Sequence, residues 1–278
     1  GCSSRERPAA HTCMDVRTYD PYQGTKTPDM TRSRVAKALP DGYTVLLGFS
    51  GPLVIVPQIN VSTPYDTLKD FAPVSLAAAA PYVLLVHPNV AAKSVKELVA
   101  LAKAQPGKLD YASGAAGAAA HLSAELFKSL GGVNIVRITY KSAGASVSEV
   151  IAGQIQMTFG TAASVSPHTK SGRLRAIAVG SKQRTAALPE IPTVAETVPG
   201  YEYVTWYSIF APAKTPRAIV MKLNARLTAV LALPHIAQRL SLQGAEPKAS
   251  TPEDLARFMQ EDTTRLGNII RTAGIKTE

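Results

Sequence analysis

Segments with the patterns of strands and helices alternate through the middle of this 278-residue chain. We expect strands at 109–112, 133–140, 155–159 and 174–179, and helices at 119–130, 145–152 and 164–171. Two neighbouring strands joined by a helix usually run parallel, because the crossover returns the chain to the same end of the sheet. The alternation therefore predicts an α/β protein with mostly parallel sheets and helices on their faces.

The flanking regions carry weaker signals of the same kind. Further strands are expected at 43–49, 74–76, 82–87 and 203–210. Ser94 and Thr251 are expected to cap helices, because each stands directly before an apolar helical pattern. Residues 1–34 are polar and basic without periodicity, and they predict an atypical, loosely ordered segment.

The connection before the helix at 119–130 is built from small residues only. Its members are Gly114, Ala115, Ala116, Gly117 and Ala118. No side chain there can cover the backbone, so N–H groups at the start of the helix stay accessible and point in one direction. They carry the positive end of the helix dipole, which favours a carboxylate or a phosphate. The loop is a candidate anion site, with tight strand-to-helix packing as the alternative interpretation.

Other loops are expected to close over the same place, because loops at the carboxyl ends of parallel strands gather at one crevice. The additional candidate binding residues are Phe49, Ser50, His121, Lys141, Gly160, Thr161 and Trp206. Ser50 and Thr161 would offer hydroxyl groups, and His121 or Lys141 would offer positive charge. Each also has a plain structural interpretation, such as a turn serine, a solvated lysine or a core tryptophan.

Motifs for catalysis and for cofactor or metal binding fail on their spacing. The turn at 48–52 has proline where a nucleophile elbow needs glycine. His121 and Glu125 lack the second histidine of a zinc protease pair, and the small-residue loop is not the dinucleotide fingerprint. No carboxylate pair stands in the loops for acid–base chemistry. The sequence thus predicts a binding protein with no enzymatic activity, no metal and no cofactor.

Composition limits the partners. The net charge is +10, but Lys and Arg are spread along the chain without a dense block, so no nucleic-acid partner is expected. The two cysteines, Cys2 and Cys13, leave the remaining sequence free of thiols, which fits an exported protein. The Gly-Cys-Ser-Ser start suggests a lipid anchor through Cys2.

Ordered landmarks from about Val35 to Lys276 resemble the periplasmic receptors of tripartite tricarboxylate transporters, the Bug-type solute-binding proteins. They are AKALPDGYT at 36–44, KDFAPV at 69–74, SVKEL at 94–98, PGKLDYAS at 106–113, HLSAELF at 121–127 and ALPEIPTVAE at 187–196. The resemblance implies a two-lobed type II periplasmic-binding-protein fold with a small organic carboxylate held between the lobes. It implies a monomeric receptor in the periplasm of a Gram-negative bacterium that delivers its ligand to membrane permease subunits. Lobe 1 would comprise 35–110 and 206–278, and lobe 2 would comprise 111–205.

The chain departs from the family pattern in several places. The glycine-rich Pro-x-Gly-Gly loop that forms the second half of the family's carboxylate clamp is not found in residues 1–34. Ala118 stands where members often have Ser or Thr, and Gly160 stands where many have Asp, which argues against an amino-acid ligand. Two alternatives therefore stay open: a ligand-sensing regulatory module of the same fold type, and a receptor whose binding is impaired by an altered N-terminus.

Overall fold

A computed structural model describes residues 28–60, 62–185 and 188–275. The helices are α1 (Pro28–Ala36), α2 (Val56–Ile59), α3 (Thr67–Asp70), α4 (Val95–Ala104), α5 (Ala119–Gly131), α6 (Ala143–Ile151), α7 (Ala162–Lys170), α8 (Arg217–Leu231), α9 (Pro234–Leu242) and α10 (Pro252–Thr272). The strands are β1 (Leu46–Phe49), β2 (Phe71–Val86), β3 (Asp110–Ser113), β4 (Val136–Thr139), β5 (Met157–Thr161), β6 (Arg175–Val179), β7 (Val204–Pro212) and β8 (Glu246–Pro247). A π-helical turn (Gly51–Ile55) leads into α2, and a 3-10 turn covers Val194–Glu196.

Strand β2, which is 16 residues long, belongs to two portions of the sheet. Its residues up to Pro81 pair antiparallel with β7, and β7 pairs antiparallel with β1. From Tyr82 onward it pairs antiparallel with β5 and with β6. β3 extends this second portion by parallel pairing with β5 and with β4. The chain thus passes through one long strand from one portion to the other.

The α/β class with flanking helices agrees with the prediction, but the sheet is mixed. Among the paired strands of the described residues, the only parallel ladders are those that β3 forms with β4 and with β5. The prediction of mostly parallel strands is wrong because β2 and β7 run antiparallel to their neighbours over most of their length. The sequence predicts two separate strands at 74–76 and 82–87, whereas the structure has the single strand β2 over this stretch. Pairing with β7 carries the strand through the intervening alanines, which illustrates how context overrides β propensity.

The N-terminal expectation is corrected in part. Residues 1–27 lie outside the described residues, so the loose order expected for them is not addressed. Residues 28–36, however, form helix α1 instead of an irregular segment. The sequence pattern does not predict this helix, because it has almost no amphipathic character. Its packing partner is β7, which lies far away in the sequence.

The main core lies between the sheet and helices α4, α5 and α10. The last helix places Leu255, Met259, Leu266 and Ile270 on one buried face, at spacings of three to four residues and their multiples. Burial of each such side chain contributes about 1.5–3 kcal/mol. No single helix within the described ranges is both long and apolar enough to cross a membrane. In the same ranges, α8 and α9 pass that test of length and composition only when taken together, and they are bent by 75° relative to each other.

Candidate functional site

A cavity of about 490 Å³ lies where the small-residue loop meets the starts of α5, α6 and α7. Its lining residues are Tyr82, Gly114, Ala115, Ala118, Ala119, Ala120, Ser142, Ala143, Gly144, Val147, Ser148, Phe159, Gly160, Thr161, Ser164 and His168. Within the described part of the chain, this lining contains no Asp or Glu. The cavity therefore offers hydroxyl, imidazole and backbone groups without a competing carboxylate.

Three helix N-termini converge on this cavity. Ser142 caps α6 by accepting a hydrogen bond from the Ala145 N–H at 3.1 Å, and Thr161 caps α7 through the Ser164 N–H at 3.4 Å. Helix α5 begins after Ala118, whose side chain offers no cap, so its first N–H groups have no side-chain partner from the N-cap position. Each helix start carries about half a positive charge. The convergence makes the cavity electrostatically favourable for an anion.

Some N–H groups of the small-residue loop form hydrogen bonds within the loop and with α5. The Gly117 N–H donates to His121 Nδ1 at 3.2 Å, and the Ala118 N–H donates to the Ala115 carbonyl at 3.0 Å. Gly117 has a left-handed φ of 74°, and a Cβ there would lie 2.6 Å from Ile59 Cδ1. Gly117 therefore faces α2 and is not among the cavity-lining residues, and neither is Ala116. The N–H groups available for a ligand are those of residues 114 and 115 and of the first turn of α5.

Arg137 on β4 fixes the start of this loop by hydrogen bonds. Its Nε donates to Ser113 Oγ at 2.9 Å, and its NH2 group donates to the Gly114 carbonyl at 2.9 Å. The parallel register that pairs Tyr111 with Arg137 brings the guanidinium to the end of β3. Sequence reasoning missed Arg137, because a lone arginine in a short strand pattern gives no sign of the strand beside it. Its fixed charge adds to the positive potential around the loop.

His121 is buried, with 5% of its surface exposed. Burial, together with the nearby Arg137 charge, lowers the pKa of His121 to about 4. Its ring is therefore neutral at neutral pH, and its Nδ1 accepts the Gly117 N–H. His121 orients the loop instead of lining the cavity, so the positive charge expected from it comes from Arg137.

The loop after β1 is placed differently from the expectation. Ser50 is 2% exposed, and its hydroxyl pairs with Thr205 Oγ1 at 3.0 Å. The ring of Phe49 lies 6.2 Å from that of Tyr207, centroid to centroid. Neither Phe49 nor Ser50 lines the cavity. The hydroxyl of Ser50 is therefore engaged in a hydrogen bond inside the protein.

Trp206 and Lys141 also lie outside the lining. Trp206 is 2% exposed, its Nε1 donates to Asp262 Oδ2 at 2.7 Å, and its ring meets Phe258 edge-on at 5.8 Å. It is thus a core residue that ties β7 to α10. Lys141 is exposed and directly precedes the lining residue Ser142. Of the predicted residues, the structure gathers Gly114, Ala115, Ala118, Gly160 and Thr161 around the cavity.

Several lining residues escaped sequence reasoning. Ser164 follows Thr161 by three residues and His168 follows Ser164 by four, so the helical period alone could have placed them on one face. Tyr82 could not be found this way, since it reaches the cavity by pairing with Thr161 across β2 and β5. Burial raises the pKa of Tyr82 to about 12, so its phenol remains a neutral O–H donor. Among the described residues, no three His, Cys, Asp or Glu side chains form a group that could hold a metal ion.

Known solved proteins share this architecture. The structure of R. palustris Rpa4515 with adipate superposes with a TM-score of 0.79 at 33% identity, and the match covers 89% of this chain and 83% of that one. The periplasmic binding protein BugD matches with a TM-score of 0.74 at 28% identity, over 90% of this chain and 84% of BugD. These likenesses agree with the expected receptor fold.

Relatives in sequence point the same way. Protein BugT of Bordetella pertussis is 35% identical over 245 residues, which are 87% of this chain and 74% of BugT. A protein encoded in the tcbD-tcbE intergenic region of Pseudomonas sp. strain P51 is 35% identical over 238 residues, or 85% of this chain and 70% of that protein. The sequence model described as tripartite tricarboxylate transporter family receptor matches residues 28–275. Its members are substrate-binding receptors and not enzymes, as the motif search predicted. This chain belongs to the tripartite tricarboxylate transporter receptor family.

Proposed function

We propose that this receptor captures a small organic carboxylate in the cavity at the starts of α5, α6 and α7. The observation that carries this assignment is the convergence of three helix N-termini and the Arg137-held loop on a space without acidic side chains. Each hydrogen bond from such a donor to a carboxylate contributes about 1.5–3 kcal/mol. A few of them suffice for micromolar binding once the cost of association is met.

Structural neighbours support a carboxylate as the ligand class. Rpa4515 is 33% identical and was solved with adipate, and MatC of Rhodopseudomonas palustris is 26% identical and was solved with bound malate. The ligand would meet the N–H groups at Gly114, Ala115 and the first turn of α5, and the polar atoms of Thr161 and Ser164. Exposed Lys141 at the rim would attract the anion over a longer range. Phe49, Ser50 and Trp206 have no part in ligand contact in this arrangement.

The receptor would deliver its ligand to permease subunits of a tripartite transporter, acting as a monomer in the periplasm. We propose the lobes as 35–110 with 206–278 and 111–205, with hinge closure on the ligand. The lipid anchor predicted at Cys2 lies outside the described residues and stays a prediction.

Titration calorimetry over mono-, di- and tricarboxylates and aromatic acids tests the proposal. We expect saturable binding of at least one acid. Ala115→Asp, which adds a negative charge to the lining, should weaken it by more than about tenfold. Ala249→Asp adds the same charge on an exposed stretch before α10 and should leave the affinity unchanged. Binding of no acid, or equal losses in the two variants, would contradict the proposed function.

A further inference from the structure

Helix α7 presents a row of polar residues to the cavity. Thr161, Ser164 and His168 all line it, and their spacing places them on one face of the helix. At a rise of 1.5 Å per residue, His168 lies about 10 Å along the axis from Thr161. The row therefore reaches from the helix N-terminus, where an anion is favoured, to a second polar position farther along the cavity wall.

The two hydroxyls near the helix start are engaged with each other. Thr161 Oγ1 lies 3.0 Å from Ser164 Oγ, and Ser164 Oγ donates to the Thr161 carbonyl at 2.9 Å. Both oxygens still have lone pairs, but their hydrogens are partly committed. For His168, the third residue of this row, the contacts of the ring show which of its two nitrogens carries the hydrogen.

Arg173 fixes the tautomer of His168. Its NH2 group lies 2.9 Å from His168 Nδ1. A guanidinium has only donors, so Nδ1 must accept and the ring hydrogen must sit on Nε2. Arg173 is itself steadied by a contact of its Nε with Ser171 Oγ at 3.4 Å. Within the described residues, His168 Nε2 has no hydrogen-bond partner, so a lining side chain keeps one oriented N–H donor.

Part of the cavity lining is apolar. Val147 of α6 and Phe159 of β5 line the cavity along with the alanines at the start of α5. Such a surface suits methylene groups, which lose their contact with water there. Two polar positions about 10 Å apart along α7 and an apolar part of the same lining suit a ligand with two acceptor groups separated by a short hydrocarbon spacer.

We infer that His168, oriented by Arg173, is a specificity-determining residue that receives the distal carboxylate of a dicarboxylate ligand. This role rests on the proposed function, which supplies the site for the first carboxylate. Arg173 acts through His168 as a positioning residue and adds a positive charge near the second carboxylate. The separation of about 10 Å between the two ends leaves room for a spacer of a few methylene groups once both hydrogen bonds are made.

Two probes that differ by one carboxylate test the inference: adipate and hexanoate, measured by titration calorimetry. The unaltered protein should bind adipate about tenfold more tightly than hexanoate, the value of one charge-assisted hydrogen bond. His168→Ala should remove this preference by lowering the adipate affinity far more than the hexanoate affinity. His168→Gln, which keeps an N–H donor, should restore part of the preference.

Arg173 provides a second, independent measurement. Arg173→Ala should reduce the adipate preference by less than His168→Ala does, and Arg173→Lys, which keeps a donor and the charge, should restore it. A loss that is equal for both probes in His168→Ala would assign the residue a structural role and overturn the inference. Equal affinities for the two acids in the unaltered protein would overturn it as well, while leaving the proposed function intact. Binding of neither acid would overturn the inference, whereas the proposed function fails only if no acid of the wider panel binds.

Discussion

Two loops that follow strand ends were both expected to contact the ligand, and they have opposite roles. The loop at 114–118 borders the cavity, whereas the loop at 49–51 does not contribute to its lining. The first has no polar side chain, so its binding capacity resides in backbone N–H groups that packing cannot fully use. The second has one hydroxyl, on Ser50, and Thr205 occupies it. In this protein, a loop of small residues before a helix thus predicts the cavity lining better than a polar side chain after a strand does.

The surroundings of the two loops explain this difference. Neighbouring polar groups hold the first loop by its backbone: Arg137 bonds the Gly114 carbonyl, and His121 accepts the Gly117 N–H. The second loop runs directly into the π-helical turn Gly51–Ile55, whose apolar side chains are buried in the main core. The loop at 114–118 is held in place with part of its backbone facing the cavity. The loop at 49–51 connects β1 to a buried turn of the main core.

The largest expected effect comes from Gly117→Ala. Its φ of 74° is unfavourable for alanine, and the new Cβ would lie 2.6 Å from Ile59 Cδ1 and 3.1 Å from Ile55 Cγ2. We expect the free energy of unfolding to fall by about 2–4 kcal/mol, from backbone strain and overpacking together. Carboxylate affinity should fall too, because the loop must shift to relieve the contact. Chemical denaturation and calorimetry measure the two effects.

Gly51→Ala is the matched control in the other loop. Its φ is outside the left-handed region, and the nearest atom to a new Cβ is Phe49 Cε2 at 3.3 Å, on a partly exposed ring that can move. We expect a change within about 0.5 kcal/mol and an unchanged affinity. Comparable losses of affinity in Gly117→Ala and Gly51→Ala would contradict the conclusion that only the loop at 114–118 borders the ligand site.

Features set by neighbours in sequence were predictable. The helix expected at 119–130 is observed as Ala119–Gly131, and Thr251 Oγ1 accepts the Asp254 N–H at 3.0 Å as its position before α10 predicts. Ser94 Oγ likewise accepts the Glu97 N–H, at 3.2 Å. Periodicity and capping act over a few residues, so the sequence contains all that is needed to recognise them.

Features set by distant residues were not predictable. The direction of β2 depends on β7, which lies more than a hundred residues later, and the core position of Trp206 depends on Asp262. The loop at 114–118 was predictable from the sequence because its small residues are consecutive and directly precede a helix. Arg137 and Tyr82 were missed because each reaches the site through strand pairing, with β3 and β5 respectively. Single-sequence reasoning has no access to such register.

The next effect in size is a pH dependence of stability that originates at His121. The pKa of this residue falls from 6.5 to about 4 because of burial and the Arg137 charge, opposed by Glu125 and reinforced by Lys128. Between these pH values the unfolded chain binds a proton that the folded protein does not. This contribution to stability is therefore complete above pH 6.5 and is lost as the pH falls toward 4. We expect a loss of about 2 kcal/mol between pH 7 and pH 5.

His121→Gln separates this contribution from other titrating groups. The glutamine amide oxygen can accept the Gly117 N–H, but the side chain does not titrate. Denaturant unfolding at pH 7 and pH 5 should show a smaller difference in the variant than in the unaltered protein. An identical pH dependence in the two proteins would mean that His121 is not the group responsible.

The smallest effects belong to a pair of single hydroxyl deletions, one in the loop after β1 and one at the start of α7. Ser50→Ala leaves buried Thr205 without its partner and should cost about 1–2 kcal/mol of unfolding free energy. Thr161→Ala removes the N-cap of α7 and should cost about 1 kcal/mol. The two stability losses are similar, so any difference in ligand affinity reports position relative to the cavity. We expect weaker carboxylate binding only in Thr161→Ala, measured by calorimetry, because only Thr161 lines the cavity. Weakened binding in Ser50→Ala alone would instead assign the ligand to the loop after β1.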